Sequence, residues 1–277
     1  MEVIKTIAEM RQVRLRLAEP VGFVPTMGYL HEGHISLIRQ AKMDNSSVVV
    51  SIFVNPTQFS TGEDFGRYPR NLESDLSQLK KEDVDAVFVP TPTEIYPTNF
   101  SSRVEVDKIT QRLEGVSRPG HFSGVTTIVA KLFNIIQPTR AYFGQKDAQQ
   151  ATVINKMIVD LNMNLTIITL PTVREPDGLA ISSRNSYLNP KERKAALVLY
   201  QSLMLAKKLW HQGERDVKTL RREMVRLIRK EPLAIIDYIS FADPLTLWEL
   251  EEVKPPTLVS LAVKIGETRL IDNLVLE

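Results

Sequence analysis

The 277-residue chain contains no cysteine. That excludes disulfides, thiolate metal sites and a cysteine nucleophile, and it makes a cytoplasmic protein the economical reading. Histidine is scarce, with four in the chain, so each one is worth locating. No apolar run is long enough to span a bilayer. Met1 leads into an amphipathic pattern (Val3, Ile4, Ile7, Met10), and no signal peptide is expected. A dominant charge is also missing: 35 Lys and Arg against 33 Asp and Glu leave +2, too little to argue for nucleic acid. The basic residues between Lys207 and Lys230 are interrupted by Glu214, Asp216 and Glu223. They read as a solvated helix face, with nucleic-acid binding the minor alternative. Repeats and low-complexity segments are absent.

What is present is an ordinary apolar fraction, 43%, over a length that fits about two domains. Five short apolar runs, at 21–24, 48–54, 86–89, 141–143 and 165–170, read as buried parallel strands. Helical periodicity separates them, at 35–43, 72–81, 125–136 and 148–161. The alternation predicts an α/β fold with a Rossmann-like, doubly wound parallel sheet. Ligands bind such sheets beyond the carboxyl ends of the strands, where the strand order reverses. Polar, turn-rich segments at 25–34, 55–59, 144–147 and 171–185 follow four of the strands and are expected to face a common pocket. After residue 185 the pattern changes to helices at 190–210 and 217–229 and strands at 235–241, 257–263 and 268–276. The expectation is one domain over 1–180 and a smaller C-terminal α+β lid domain over 181–277. Residues 60–70, with two glycines, a proline and no period, read as a mobile loop: a gate, or an ordinary surface loop.

The most informative segment is 23–34, Phe-Val-Pro-Thr-Met-Gly-Tyr-Leu-His-Glu-Gly-His. It reads as strand, tight turn and helix start, with His31 and His34 one helical turn apart on one face. Free N–H groups and the positive end of a helix dipole suit that place to phosphate, and both imidazoles can donate to phosphate oxygens. Gly33 removes a side chain where a phosphate needs close approach. A plain strand–helix corner with two surface histidines has the same spacing, and the preceding P-T-M-G favours the phosphate reading.

H-x-G-H after a first strand is the signature of the nucleotidylyltransferase superfamily, which includes class I aminoacyl-tRNA synthetases. The longer string P-T-M-G-x-L-H-x-G-H resembles that of the pantothenate synthetase family. So do F-V-N-P-T-Q-F at 53–59, R-P-G-H-F at 118–122 with Gly124 and Val125, F-G-Q-K-D-A-Q-Q at 143–150, I-S-S-R-N at 181–185 and T-R-L-I-D-N at 268–273. The resemblance covers nearly the whole chain, in order.

That family joins pantoate to β-alanine, consuming ATP and releasing AMP and pyrophosphate through a pantoyl-adenylate. By resemblance, ATP would be held by Met27, Gly28, Tyr29, Leu30, His31, Glu32, Gly33 and His34, with His34 as proton donor. Gly144, Gln145, Lys146 and Asp147 would join them, Lys146 meeting phosphates as a third catalytic residue and Asp147 accepting from ribose hydroxyls. An adjacent Lys-Asp pair in an arbitrary loop is more often solvated. Val173 would meet adenine through its backbone. Ile181, Ser182, Ser183 and Arg184 look like a second phosphate signature, arginine being able to clamp two oxygens; a serine-rich linker is the alternative. Gln58 and Gln150 would bind pantoate and β-alanine. An amide offers a donor to the carboxylate and an acceptor to hydroxyls, without a counter-charge that deactivates the nucleophile.

Mg²⁺ is expected with ATP. No all-protein carboxylate cage is evident; Asp75 is a weak candidate, against a plain exposed helix residue. His121 belongs either to a pocket wall or to a loop–helix junction, and His211 to an exposed helix end. The family is usually dimeric, and Ile109 and Leu113 near Val104 and Val106 are candidates for covering an interface. The rival readings are an H-x-G-H nucleotidyltransferase that stops at its adenylate or cytidylate, and a non-catalytic nucleotide-binding module.

Overall fold

The structure is a computed structural model that describes residues 1–60 and 62–277. Two compact units make up the chain, residues 1–144 with 153–171 and residues 145–152 with 172–277. This differs from one cut after residue 180 by the stretch 145–152 and by residues 172–180.

The first unit holds a six-stranded, wholly parallel sheet: β1 (Glu2–Ile4), β2 (Val21–Thr26), β3 (Ser47–Ile52), β4 (Ala86–Phe88), β5 (Arg140–Gly144) and β6 (Thr166–Leu170), in the order β1-β4-β3-β2-β5-β6. The order reverses between β2 and β5, so the carboxyl ends of these strands flank the switch point where doubly wound sheets bind ligands. The first six helices are α1 (Ile7–Arg14), α2 (Glu32–Asp44), α3 (Leu72–Lys81), the single turns α4 (Pro92–Ile95) and α5 (Glu114–Ser117), and α6 (His121–Ile136); α7 (Ala148–Asp160) then joins β5 to β6.

The four inner strands are apolar on both faces because both faces are covered. Phe23, Val49, Ala141 and Phe143 pack into one core with α1, α6 and the later part of α7. Val24, Val48, Val50 and Tyr142, one residue out of step, pack into a second core with α2 and α3. Each fully buried Val or Phe contributes roughly 1.5–3 kcal/mol, which outweighs any local preference along these segments.

Two expectations change. The amphipathic pattern from Val3 to Met10 is not one element: residues 2–4 are a strand, in which Glu2, Val3 and Ile4 pair with Ala86, Val87 and Phe88. Helix α1 begins only after Thr6, whose hydroxyl accepts from Glu9 N–H while Glu9 accepts from Thr6 N–H. Strand β6 is at the sheet edge and half exposed, not buried.

The second unit carries an antiparallel sheet, β7 (Ala234–Ala242), β8 (Thr257–Ile265) and β9 (Thr268–Leu276), in that order. Its core is shared with α8 (Pro190–Ala195), α9 (Leu197–His211) and α10 (Val217–Ile228). The single helix expected over 190–210 divides at Ala196, where Leu199 N–H bonds only three residues back, to Ala196 O. Asn189 caps α8 reciprocally with Glu192, and Pro190 fills its first position. The first unit is thus α/β and the second α+β, as expected.

Candidate active site

Strand β2 ends in Thr26, whose hydroxyl donates to Ser51 O and accepts from Gly28 N–H. Gly28 (φ 79°) and Tyr29 (φ 53°) both take left-handed backbone, and the chain turns through them into α2. His31 is the N-cap of α2 in extended conformation. The rings of His31 and His34 lie 4.1 Å apart between centroids, tilted by 31°. His31 N–H donates to His34 Nδ1 at 3.4 Å, so the neutral His34 ring carries its proton on Nε2. A Cβ on Gly33 would come within 3.0 Å of the His31 ring, so glycine here makes room for the imidazole itself. Glu32 is exposed and bonded to Arg39.

Asp75 is not an exposed helix residue. It is 2% exposed, and its carboxylate accepts from Tyr29 N–H (2.8 Å) and Leu30 N–H (2.7 Å). No group of three or more His, Cys, Asp or Glu suited to a metal exists among the described residues.

Gln58 is also buried. It closes the short 3-10 turn Pro56–Gln58, which Asn55 caps. Its amide Nε2 meets Met27 Sδ at 3.0 Å, and its Oε1 accepts from Asn55 Nδ2 at 3.1 Å; the amide thereby ties the Gln58 turn to the turn after β2. Helix α6 approaches this turn backbone to backbone: a Cβ on Gly124 would sit 2.3 Å from Thr57 O. Asn55 Nδ2 also donates to Gly124 O.

His121 sits at the loop–helix junction. It starts α6 at 6% exposure, with Nδ1 2.7 Å from Gln58 O and Nε2 3.0 Å from Arg118 Nη1. Burial, reinforced by the Arg118 charge, pushes its pKa down to about 4. The neutral ring therefore donates from Nδ1 to Gln58 O and accepts from Arg118 at Nε2. Arg118 also bonds both oxygens of Glu63. Burial would raise the Glu63 carboxyl, and the Arg118 guanidinium overrides it and holds it low.

A pH dependence follows. The folded chain keeps His121 neutral down to about pH 4, whereas the unfolded chain protonates it near 6.5. Unfolding takes up a proton in that window, so stability is intact above it and falls as pH drops from 6.5 toward 4. Urea unfolding should show about 2 kcal/mol less stability at pH 5 than at pH 7, a difference that His121→Gln diminishes. An unchanged difference in that variant would show that other groups carry it.

In the loop 60–70, Thr61 lies outside the described residues. The remainder holds a 3-10 turn, Asp64–Gly66, with Phe59 packed edge-on to Phe65 and Tyr68 and Arg70 bonded to the Phe65 and Tyr68 carbonyls. Ile109 is 7% exposed in the chain's own interior, and Val104 and Val106 pack on the first core. Ile109 is therefore not a surface residue, and the argument for an interface there loses it.

In the second unit, Gln145, Lys146 and Asp147 form a 3-10 turn directly after β5. Asn273 clamps it: Nδ2 donates to Gln145 O and Lys146 O, both 2.9 Å, and Oδ1 accepts from Gln145 Nε2. Lys146 is half-buried, Asp147 exposed and Gln150 half-buried on α7. Residues 172–181 form a hairpin through Asp177 and Gly178, where Ile181 N–H reaches Val173 O. Arg174 makes a two-pronged bond to the buried Asp272 (2.7 and 2.8 Å) and stacks on Tyr200. Ser182 caps the 3-10 turn Ser183–Tyr187 by accepting from Arg184 N–H, and Ser183 is buried. Asp75, Gly124, Asn273 and Asp272 hold these segments in place. The D-N of the final string was the one signal for the last pair.

Similarity to known proteins extends over the full length. The Pantoate-beta-alanine ligase family model matches residues 2–275. The chain belongs to this family. The pantothenate synthetase of Roseiflexus castenholzii is 56% identical over 277 residues, covering 100% of each chain. The crystal structure of pantothenate synthetase from Thermus thermophilus superposes with a TM-score of 0.95 at 46% identity, covering 99% of each chain. A Francisella tularensis pantoate-beta-alanine ligase, complexed with Beta-gamma ATP and Beta-alanine, gives 0.82 at 38% identity over 99% of this chain and 97% of that one. Membership in the pantoate-beta-alanine ligase family excludes the rival that stops at a nucleotidyl product and the non-catalytic module.

Proposed function

We propose that this chain condenses pantoate with β-alanine in two steps on ATP. The pantoate carboxylate attacks the α-phosphorus, the bond to pyrophosphate breaks, and a pantoyl-adenylate forms. The β-alanine amine then attacks the acyl carbon, loses a proton and expels AMP, leaving pantothenate. The observation that carries the reading is the His31–His34 pair at the start of α2, beyond the strand beside the switch point.

Charge builds on the phosphate oxygens in the first step, and positioned donors are the means of stabilising it. His34, with its proton on Nε2, serves as that donor beside His31. Lys146, Ser182, Ser183 and Arg184 supply further charge and donors, Asp147 accepts from ribose, and Val173 meets adenine. Gln58 and Gln150 hold the acyl and amine substrates. With no protein cage for the cation among the described residues and both Asp75 oxygens engaged, Mg²⁺ enters on the nucleotide, as MgATP. No helix among the described residues is long and apolar enough to cross a membrane, and the reading includes a cytoplasmic homodimer.

The decisive measurement is exchange of labelled pyrophosphate into ATP. Exchange should require pantoate and proceed without β-alanine, with AMP released only when β-alanine is added. An enzyme that makes pantothenate yet shows no exchange would rule out the adenylate.

A further inference from the structure

Two backbone N–H groups in the turn before H-x-G-H, those of Tyr29 and Leu30, are committed to the Asp75 carboxylate and are not available to a phosphate. They are the last N–H groups before His31, so whatever fixes them fixes where α2 begins. The turn needs fixing. Gly28 and Tyr29 are consecutive residues in left-handed backbone, and a tyrosine there persists only when its surroundings impose it. We infer that Asp75 is a positioning residue for the adenylation step: it sets the register of the His31–His34 pair through this turn. The inference rests on the adenylation reading above.

The geometry is specific to a carboxylate. Each oxygen takes one N–H, which an ionised carboxyl does with both of its oxygens and an amide does with only one. The side chain is buried, so water does not substitute for it. It is mounted rigidly: Asp75 lies in the first turn of α3, its N–H bonds to Asn71 O, and Asn71 Oδ1 caps the helix at Ser74 N–H. From one turn further along α3, Gln78 Nε2 reaches Leu30 O at 3.5 Å. Gly28 completes the fit, since a Cβ there would come within 2.9 Å of Asp75 Oδ2. Glycine is thus required both for its left-handed φ and for the approach of this carboxylate. A shift of about 1 Å in a group that contacts the reacting centre lowers rates by as much as 10²-fold, so loss of the clamp should be felt in the nucleotide step first.

The test is Asp75→Asn, which places an amide NH₂ against one of the two N–H groups. We expect the KM for ATP in pyrophosphate exchange to rise at least tenfold and the exchange rate to fall. Pantoate affinity, measured by calorimetry without ATP, should stay within twofold. Thr6→Ala is the control: it removes the cap of α1 rather than anything that mounts Asp75, and lowers the thermal midpoint, so its ATP KM should stay at the wild-type value. If Asp75→Asn fails to fold, Asp75→Glu reads the same split, because it keeps both acceptors but displaces them by one methylene. Wild-type ATP KM in a folded Asp75 variant, or equal weakening of ATP and pantoate, would overturn the inference. Absence of pantoate-dependent exchange in the wild type would instead refute the adenylation reading.

Discussion

Replacing His34 with alanine should lower pantoate-dependent pyrophosphate exchange about a hundredfold or more, the loss typical of removing one positioned donor from a developing oxyanion. The fold should survive. His34 is half-buried, and the hydrogen bond its ring accepts from His31 N–H is long at 3.4 Å. That bond still matters chemically, because it puts the proton of the neutral ring on Nε2. The exchange assay with saturating ATP and pantoate measures the effect, and a circular dichroism melt verifies the fold. Wild-type exchange in a folded His34→Ala would remove this residue from the chemistry and leave it as a ring packed on His31.

Gly124→Ala should damage the acyl-substrate side as severely, by a different route. The added methyl would meet a carbonyl, Thr57 O at 2.3 Å, and the Gln58 backbone at 2.7 Å. No flexible side chain stands there to move aside. Either α6 or the Pro56–Gln58 turn must shift, which costs about 1–3 kcal/mol as overpacking. It also pulls the Gln58 amide from Met27 and Asn55. We expect a lowered thermal midpoint and a KM for pantoate raised well beyond that for ATP. A midpoint and pantoate KM within error of wild type would show that this contact relaxes freely.

The parts legible in the sequence were those whose signal is local. Runs such as Val48 to Val50 declare a doubly covered strand by composition, and His31 with His34 lies within four residues. Signals carried by partners distant in the chain were not legible. Strand β1 has three residues, too few to show a period, and exists because Ala86 to Phe88 offer an edge. Asp75 looks like any acidic residue in the first turn of a helix, and its burial comes from a turn far earlier in the chain. Asn273 acts on Lys146 across 127 residues. Ile109, a candidate for covering an interface by its apolar side chain alone, is buried within the chain.

The assignment of residues 145–152 to the second unit has a consequence for how such a chain can be divided. A fragment 172–277 would lack the Gln145 and Lys146 carbonyls and so lose both hydrogen bonds by which Asn273 Nδ2 holds that turn. A fragment 1–171 would carry the Lys146 turn without the asparagine that shapes it. No single cut yields two self-sufficient pieces. Recombination by one crossover would therefore break the clamp unless the incoming segment brought its own asparagine.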